Sequence, residues 1–190
     1  MKVKKYINRM RNVLVEPHAE WTRILEEETS PKQLFLQFVL PVIIVIALAS
    51  FVGRVIFGEV KLSAGSGIVI RYALEIALVQ GLSYFIASFI INEGLPLFQL
   101  SRNRTLVFKL VAFSMVPVYL AFFLAGLFPG LANFLSIIAF YALVTYGYAS
   151  RFLFGLKFER RYMFLLFSSG VLLVVYFILK FLFGLMLVIG

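Results

Sequence analysis

After a polar stretch of about 33 residues, five apolar runs follow one another, and short connections carry most of the charge between them. A helix of roughly 20 apolar residues crosses a hydrocarbon core about 30 Å thick. Each run reaches that length, and the pattern predicts spans over about 34–57, 68–91, 105–127, 131–150 and 162–189. The third and fourth are joined by one tight turn, Phe128-Pro129-Gly130, and form a helical hairpin whose open ends lie on the same side. The fifth is longer than one crossing needs, which implies tilt or overhang. Pro41 removes a backbone hydrogen bond inside the first span and predicts a kink near its start. The 93–103 connection holds Pro96 between apolar residues and suits a segment running along the interface.

The polar stretch has its own periodicity. Val3, Tyr6, Ile7, Met10, Val13 and Leu14 recur at helical spacing, against a face of Lys2, Lys4, Lys5, Asn8, Arg9, Arg11 and Asn12. Such a helix either lies on an anionic membrane surface or packs on the protein's own cytoplasmic face. Glu16-Pro17 opens a second short helix with proline in its first turn. Trp21, Ile24 and Leu25 form its apolar side, and Trp21 is expected at the headgroup level. Thr29-Ser30-Pro31 reads as a hydroxyl cap followed by a helix start. Because the polar stretch is long and no small-residue cleavage site follows the first apolar run, that run is expected to be an uncleaved anchor.

Charge placement sets the expected orientation. Fourteen basic residues fall on one side of a five-span arrangement, among them Arg102, Arg104, Lys109, Arg151, Lys157, Arg160 and Arg161; only Lys61, Arg54 and Arg71 fall on the other. The positive-inside rule then gives N-in, C-out. The fold class is therefore all-α: a polytopic membrane protein of five transmembrane helices, with residues 1–33 as a short amphipathic cytosolic segment and 34–190 as the membrane domain. At 62% hydrophobic and 14% charged residues, an ordinary soluble domain is excluded. The excess of 18 Lys and Arg over 9 acids flanks apolar spans, so it points to the bilayer and not to nucleic acid.

The chemistry the sequence offers is sparse. There is no Cys and no Asp, and His18 is the only histidine. A nucleophilic triad and a His/Cys/carboxylate metal centre both lack their parts. The consecutive Glu26, Glu27 and Glu28 point in different directions around a helix and read as a solvated face. No catalytic, cofactor or metal residue is expected, and the chain reads as a non-enzyme. Charges inside spans are the candidates that remain. Arg71 and Glu75 are four apart on the second span, Arg54 ends the first at a similar depth, and Lys180 lies late in the fifth. Ionisable groups in lipid are costly and usually face the bundle or a water-filled cavity. Arg54, Arg71, Glu75 and Lys180 thus form either a pathway or a set of structural contacts, with Glu75 pairing Arg54 or Arg71 and Lys180 snorkelling to the interface. Tyr141, Thr145, Tyr146 and Tyr148 make a polar-edged stripe on the fourth span, suited to helix packing.

The order of several stretches resembles the Yip (Ypt-interacting protein) domain family of five-pass membrane proteins, in particular its prokaryotic branch. These are Arg11-Asn12-Val13-Leu14-Val15-Glu16-Pro17 through Ala19-Glu20-Trp21, Thr29-Ser30 before Leu40-Pro41, Phe108-Lys109-Leu110-Val111-Ala112-Phe113-Ser114-Met115-Val116-Pro117, Phe128-Pro129-Gly130-Leu131, and Tyr141 to Tyr148. Eukaryotic relatives carry long cytosolic N-terminal regions and are associated with Rab-type GTPases and vesicle traffic. The short region here departs from them, so the resemblance implies the fold and not that role. The expectation is a Yip-type membrane scaffold or adaptor whose basic cytoplasmic face (Lys2, Lys4, Lys5, Arg9, Arg11 and Trp21) meets anionic lipid, a protein partner or a second copy. The alternative is a lipid scramblase or a small-ion or small-solute transporter using Arg54, Arg71 and Glu75. The expected location is a prokaryotic cytoplasmic (inner) membrane, with Golgi or endoplasmic reticulum as the alternative.

Overall fold

The structure, a computed structural model, describes the backbone of residues 2–57 and 62–189; side chains are described for these apart from 2–6, 62–66, 68, 69, 158 and 186–189. Two helices, α1 (Lys2–Val15) and α2 (Pro17–Glu26), precede the spans, and Pro17 occupies the first turn of α2. The first span, α3, runs Pro31–Ile56. Ser30 caps it with a full capping box: its hydroxyl accepts from the Gln33 N–H at 3.2 Å, and the Gln33 side chain accepts from the Ser30 N–H. Residues Phe35–Val39 form a single π-turn in which the Leu40 N–H reaches back five residues to the Phe35 carbonyl. The extra residue sits just before Pro41 and absorbs the missing donor there without ending the helix.

The second span, α4 (Leu62–Gly94), continues into a 3₁₀ turn, Leu95–Phe98. At 1.5 Å per residue it is about 50 Å long, longer than a hydrocarbon core, and it forms the central wall of the bundle. Both the first and the fifth spans pack on it. The fifth, α8, covers Phe158–Ile189.

The hairpin departs most from the expectation. The third span is not one helix over 105–127. It is α5 (Arg104–Ser114) and α6 (Val116–Leu127), bent by 40° at Met115. Pro117 is the cause: it lacks a donor, and its ring displaces the Phe113 carbonyl one turn back. The Ser114 carbonyl is freed by the bend and accepts from the Thr145 hydroxyl at 2.8 Å, so the fourth span closes the break. The fourth span, α7 (Pro129–Phe154), begins as 3₁₀ at Pro129–Leu131 and again at Ser136–Phe140, and becomes regular only from Tyr141. Thr145 and Tyr146 are buried, in keeping with a packing role, whereas Tyr141 and Tyr148 are exposed. Among the described residues four helices are long and apolar enough to cross a membrane, and five segments are if the bent pair is one broken span and not a re-entrant loop.

Burial centres on α5. Every residue from Val107 to Ser114 is buried, so from Val107 on this helix has no lipid face. It is enclosed by α1, α3, α4 and α7. The Tyr84 hydroxyl donates to the Phe108 carbonyl at 3.4 Å, tying α4 to it. On the far half of the bundle, α3 and α6 meet through small residues. A Cβ on Gly53 would collide with the Gly126 carbonyl, and one on Gly126 would lie 2.6 Å from the Ser50 hydroxyl and 2.9 Å from the Ser50 nitrogen. Backbones approach this closely only where side chains are absent.

Gly53→Ala is accordingly expected to force α3 and α6 apart. Overpacking of this kind costs about 1–3 kcal/mol, read as a fall in the thermal unfolding midpoint in detergent. Gly67→Ala, where an added methyl meets nothing within 4 Å, serves as the control. An unchanged midpoint for Gly53→Ala would contradict the close approach.

Candidate functional site

Two arrangements gather charge, one at each end of the bundle. The first joins the N-terminal helices to the spans. The Lys109 side chain is buried, and its ammonium donates to the Ile24 carbonyl at 2.8 Å and to the Glu27 carbonyl. These carbonyls end α2, where an unpaired helix terminus carries partial negative charge. A lysine 82 residues downstream of Glu27 thus caps α2. Around it, Arg9 pairs with Glu20 at 3.1 Å and with Glu27 at 2.7 Å, and its guanidinium stands 4.7 Å from the Phe113 ring. Asn12 donates to Glu20 at 3.4 Å, and Arg23 lies 3.8 Å from it. Glu20 is almost fully buried, and these partners compensate its charge.

This network corrects the expected basic face. Arg9 turns inward. Trp21 is wholly buried, edge-on to Phe113 with centroids 6.3 Å apart, so it packs on protein and presents no ring to lipid. The reason is that α1 and α2 pair and present Trp21 to α5. Arg11 is exposed. Lys2, Lys4 and Lys5 lie outside the described side chains. Neither Lys109 nor Glu20 entered the sequence reading as a contact. The one signal was Lys109 itself, a lone cation a few residues into an apolar run.

The second arrangement is a cavity of about 340 Å³ at the other end. Arg54 reaches it from α3, Glu75 from α4 and Lys180 from α8, so three of the four charges singled out in the spans line one space. Arg71 does not: it is exposed and outside that lining. Each cation stands near a tyrosine that also lines the cavity. The Arg54 guanidinium lies 3.6 Å over Tyr72, and the Lys180 ammonium is 6.0 Å from the Tyr176 ring centre. Arg54 and Glu75 are half-buried, and Lys180 is exposed. Small residues on α6 and α7, namely Ala125, Gly126, Ala132 and Ala139, leave the room. Among the described residues, no group of three or more His, Cys, Asp or Glu comes together to hold a metal ion. The cavity offers cation–ring contacts and polar side chains, among them Ser50, Gln80 and Ser136.

A family model described as the Yip1 domain matches residues 11–182. No curated protein and no solved structure matches the chain.

Replacing Lys109 by Met keeps the length of the stem and removes the cap on α2. Leaving buried carbonyls unpaired costs about 1–3 kcal/mol. The N-terminal helices are expected to loosen first, so limited trypsin cleavage at Arg23 should accelerate while cleavage after Lys157, at the exposed α7–α8 connection, is unchanged. Equal rates for both proteins at Arg23 would show that Lys109 does not hold the cap.

Proposed function

This chain belongs to the Yip1 domain family, and from that premise we propose that it is a multi-pass membrane scaffold with no enzymatic activity, working through the basic surface around α1 and α2. One observation carries this reading: the N-terminal helices are fixed to the bundle by Lys109 and Arg9 and do not hang on a tether. With Arg9 and Lys109 spent on internal contacts, the exposed cations described at this end are Arg11, Arg23, Lys32, Arg102, Arg104, Arg151, Lys157 and Arg160, of which Arg23 also meets Glu20 and Arg102 meets Glu93. A rigid patch of this kind suits an acidic protein partner or the anionic surface of a bilayer. We assign this end to the cytoplasm on the asymmetry of basic residues, and the spans to a prokaryotic cytoplasmic membrane on the resemblance to that branch of the family.

The test is crosslinking of the full chain in its native membrane, comparing wild type with the Arg11→Glu/Lys32→Glu variant. Each cation near an anionic surface contributes on the order of 1 kcal/mol. Reversing two should lower the yield of the crosslinked product at least about tenfold, with thermal stability unchanged because both side chains are exposed. A product formed equally by both proteins would overturn the scaffold reading of this face.

The cavity favours a second reading, movement of lipid or a small ion, because it assembles Arg54, Glu75 and Lys180 from three spans. Under it, Glu75→Gln lowers flux across reconstituted vesicles several-fold and leaves the folded fraction unaltered. Under the structural reading of the same charge, it lowers the unfolding midpoint and there is no protein-dependent flux to lose.

A further inference from the structure

The charged cavity does not end at its charged residues. A second cavity of about 270 Å³ adjoins it, and the two share Gln80, Phe122, Ala139 and Tyr176 as walls. The second is apolar over most of its lining, with Val111, Val118, Leu172 and Phe177 among the contributors. Several of its lining residues, Phe140, Leu143, Leu173 and Phe177, are themselves exposed on the outside of the bundle. It therefore opens sideways to hydrocarbon between α7 and α8, where the 3₁₀ stretch Ser136–Phe140 begins the fourth span.

The seam between the two cavities carries an independent signal. Gln80 lines both cavities and Ser83, three residues on, lines the second; each is more than nine-tenths buried, yet Gln80 Nε2 and Ser83 Oγ have no hydrogen-bond partner in the protein. Buried donors are rarely left unpaired, and polar groups in a membrane interior mark the path of something polar. The whole space is thus graded: two cations and one carboxylate at one end, unsatisfied amide and hydroxyl groups in the middle, aliphatic and aromatic side chains at the other. That gradient matches an amphiphile with a charged head and a long apolar tail.

We infer that the paired cavities hold one anionic phospholipid, with its phosphate between Arg54 and Lys180 and an acyl chain in the apolar cavity. The lining has a net charge of one positive, which matches a singly charged phosphodiester. Glu75 faces the same space and accepts from headgroup hydroxyls; its charge disfavours any second anion. The carbonyl esters of the glycerol fall at the seam, within reach of the Gln80 amide and the Ser83 hydroxyl. The site shares its cavity with the transport reading but does not require anything to move through it. It is also separate from the basic α1–α2 surface.

The test is native mass spectrometry of the full chain in detergent, with phosphatidylglycerol and phosphatidylcholine of equal chain length added separately. Wild type is expected to retain one phosphatidylglycerol and to prefer it over phosphatidylcholine. Lys180→Gln, an exposed position, is expected to reduce that preference about fivefold or more. Leu143→Trp, which fills the apolar cavity from its exposed rim, is expected to lower retention of both lipids alike. Arg104→Gln, on the other face, is expected to change neither. A loss of the preference in Arg104→Gln with no change in Lys180→Gln would place the lipid at the basic surface and overturn the inference. Absence of one-to-one retention, or retention indifferent to both Lys180→Gln and Leu143→Trp, would overturn it as well. One-to-one retention in a protein that gives no flux in vesicles would sustain the lipid site and remove the transport reading.

Discussion

The Lys109 ammonium is the contact on which the arrangement of the chain depends. A lysine in an apolar helix must be paired or must reach water, and neither is available within α5, which is buried along its length from Val107 to Ser114. The end of α2 supplies the missing acceptors, the carbonyls of Ile24 and Glu27. The arrangement satisfies two groups at once: a buried cation and the open C-terminus of a helix. It also fixes α2, and through Arg9, Glu20 and Glu27 it fixes α1. The N-terminal helices then complete the wall around α5, which is why a helix this polar at its start and this buried throughout can stand inside a membrane domain.

Hydropathy reads the partition of each segment between water and lipid, and it does so well here. The five runs, the Ser30 cap and the first-turn position of Pro17 follow from local rules about backbone and solvent. Hydropathy does not read which neighbour a segment meets. Val107 and Leu110 have the same transfer preference whether they face lipid or another helix, so the enclosure of α5 from Val107 onward leaves no trace in a hydropathy profile. The same blindness hides the burial of Trp21, since an amphipathic helix that packs on protein and one that packs on headgroups share a pattern. The bend at Met115 was within reach of the sequence, because Pro117 lies twelve residues into a run that has to be helical.

The charged cavity illustrates a different limit. Arg54, Glu75 and Lys180 each stand out in sequence as ionisable residues in apolar surroundings, and their cost in lipid was reason enough to single them out. What the sequence does not hold is their convergence. Arg71 and Glu75 are four residues apart and share a face within about 40°, yet one side chain is exposed and the other lines the cavity. The difference arises from the helices opposite: small residues at Ala125, Gly126, Ala132 and Ala139 withdraw from Glu75 and not from Arg71. Side-chain size on one pair of spans decides which charges on the other three share a space.

The rigidity of that cavity follows from the contact beside it. Ser50 and Gly126 both line the space and also belong to the tight crossing of α3 on α6, where Gly53 meets the Gly126 carbonyl. Two backbones in direct contact cannot slide without losing the small-residue register, so the wall carrying Arg54 is held against the hairpin. The opposite wall is less constrained. It is made by α8 and by the 3₁₀ start of α7, whose residues Ile137 and Phe140 are largely exposed and whose i→i+3 hydrogen bonds are the weaker kind. A cavity with one fixed wall and one loosely bonded wall can admit a chain from the side without disturbing the crossing that positions its cations. The same small residues that weaken the packing of the fourth span therefore give the charges of the first, second and fifth a common space to act in.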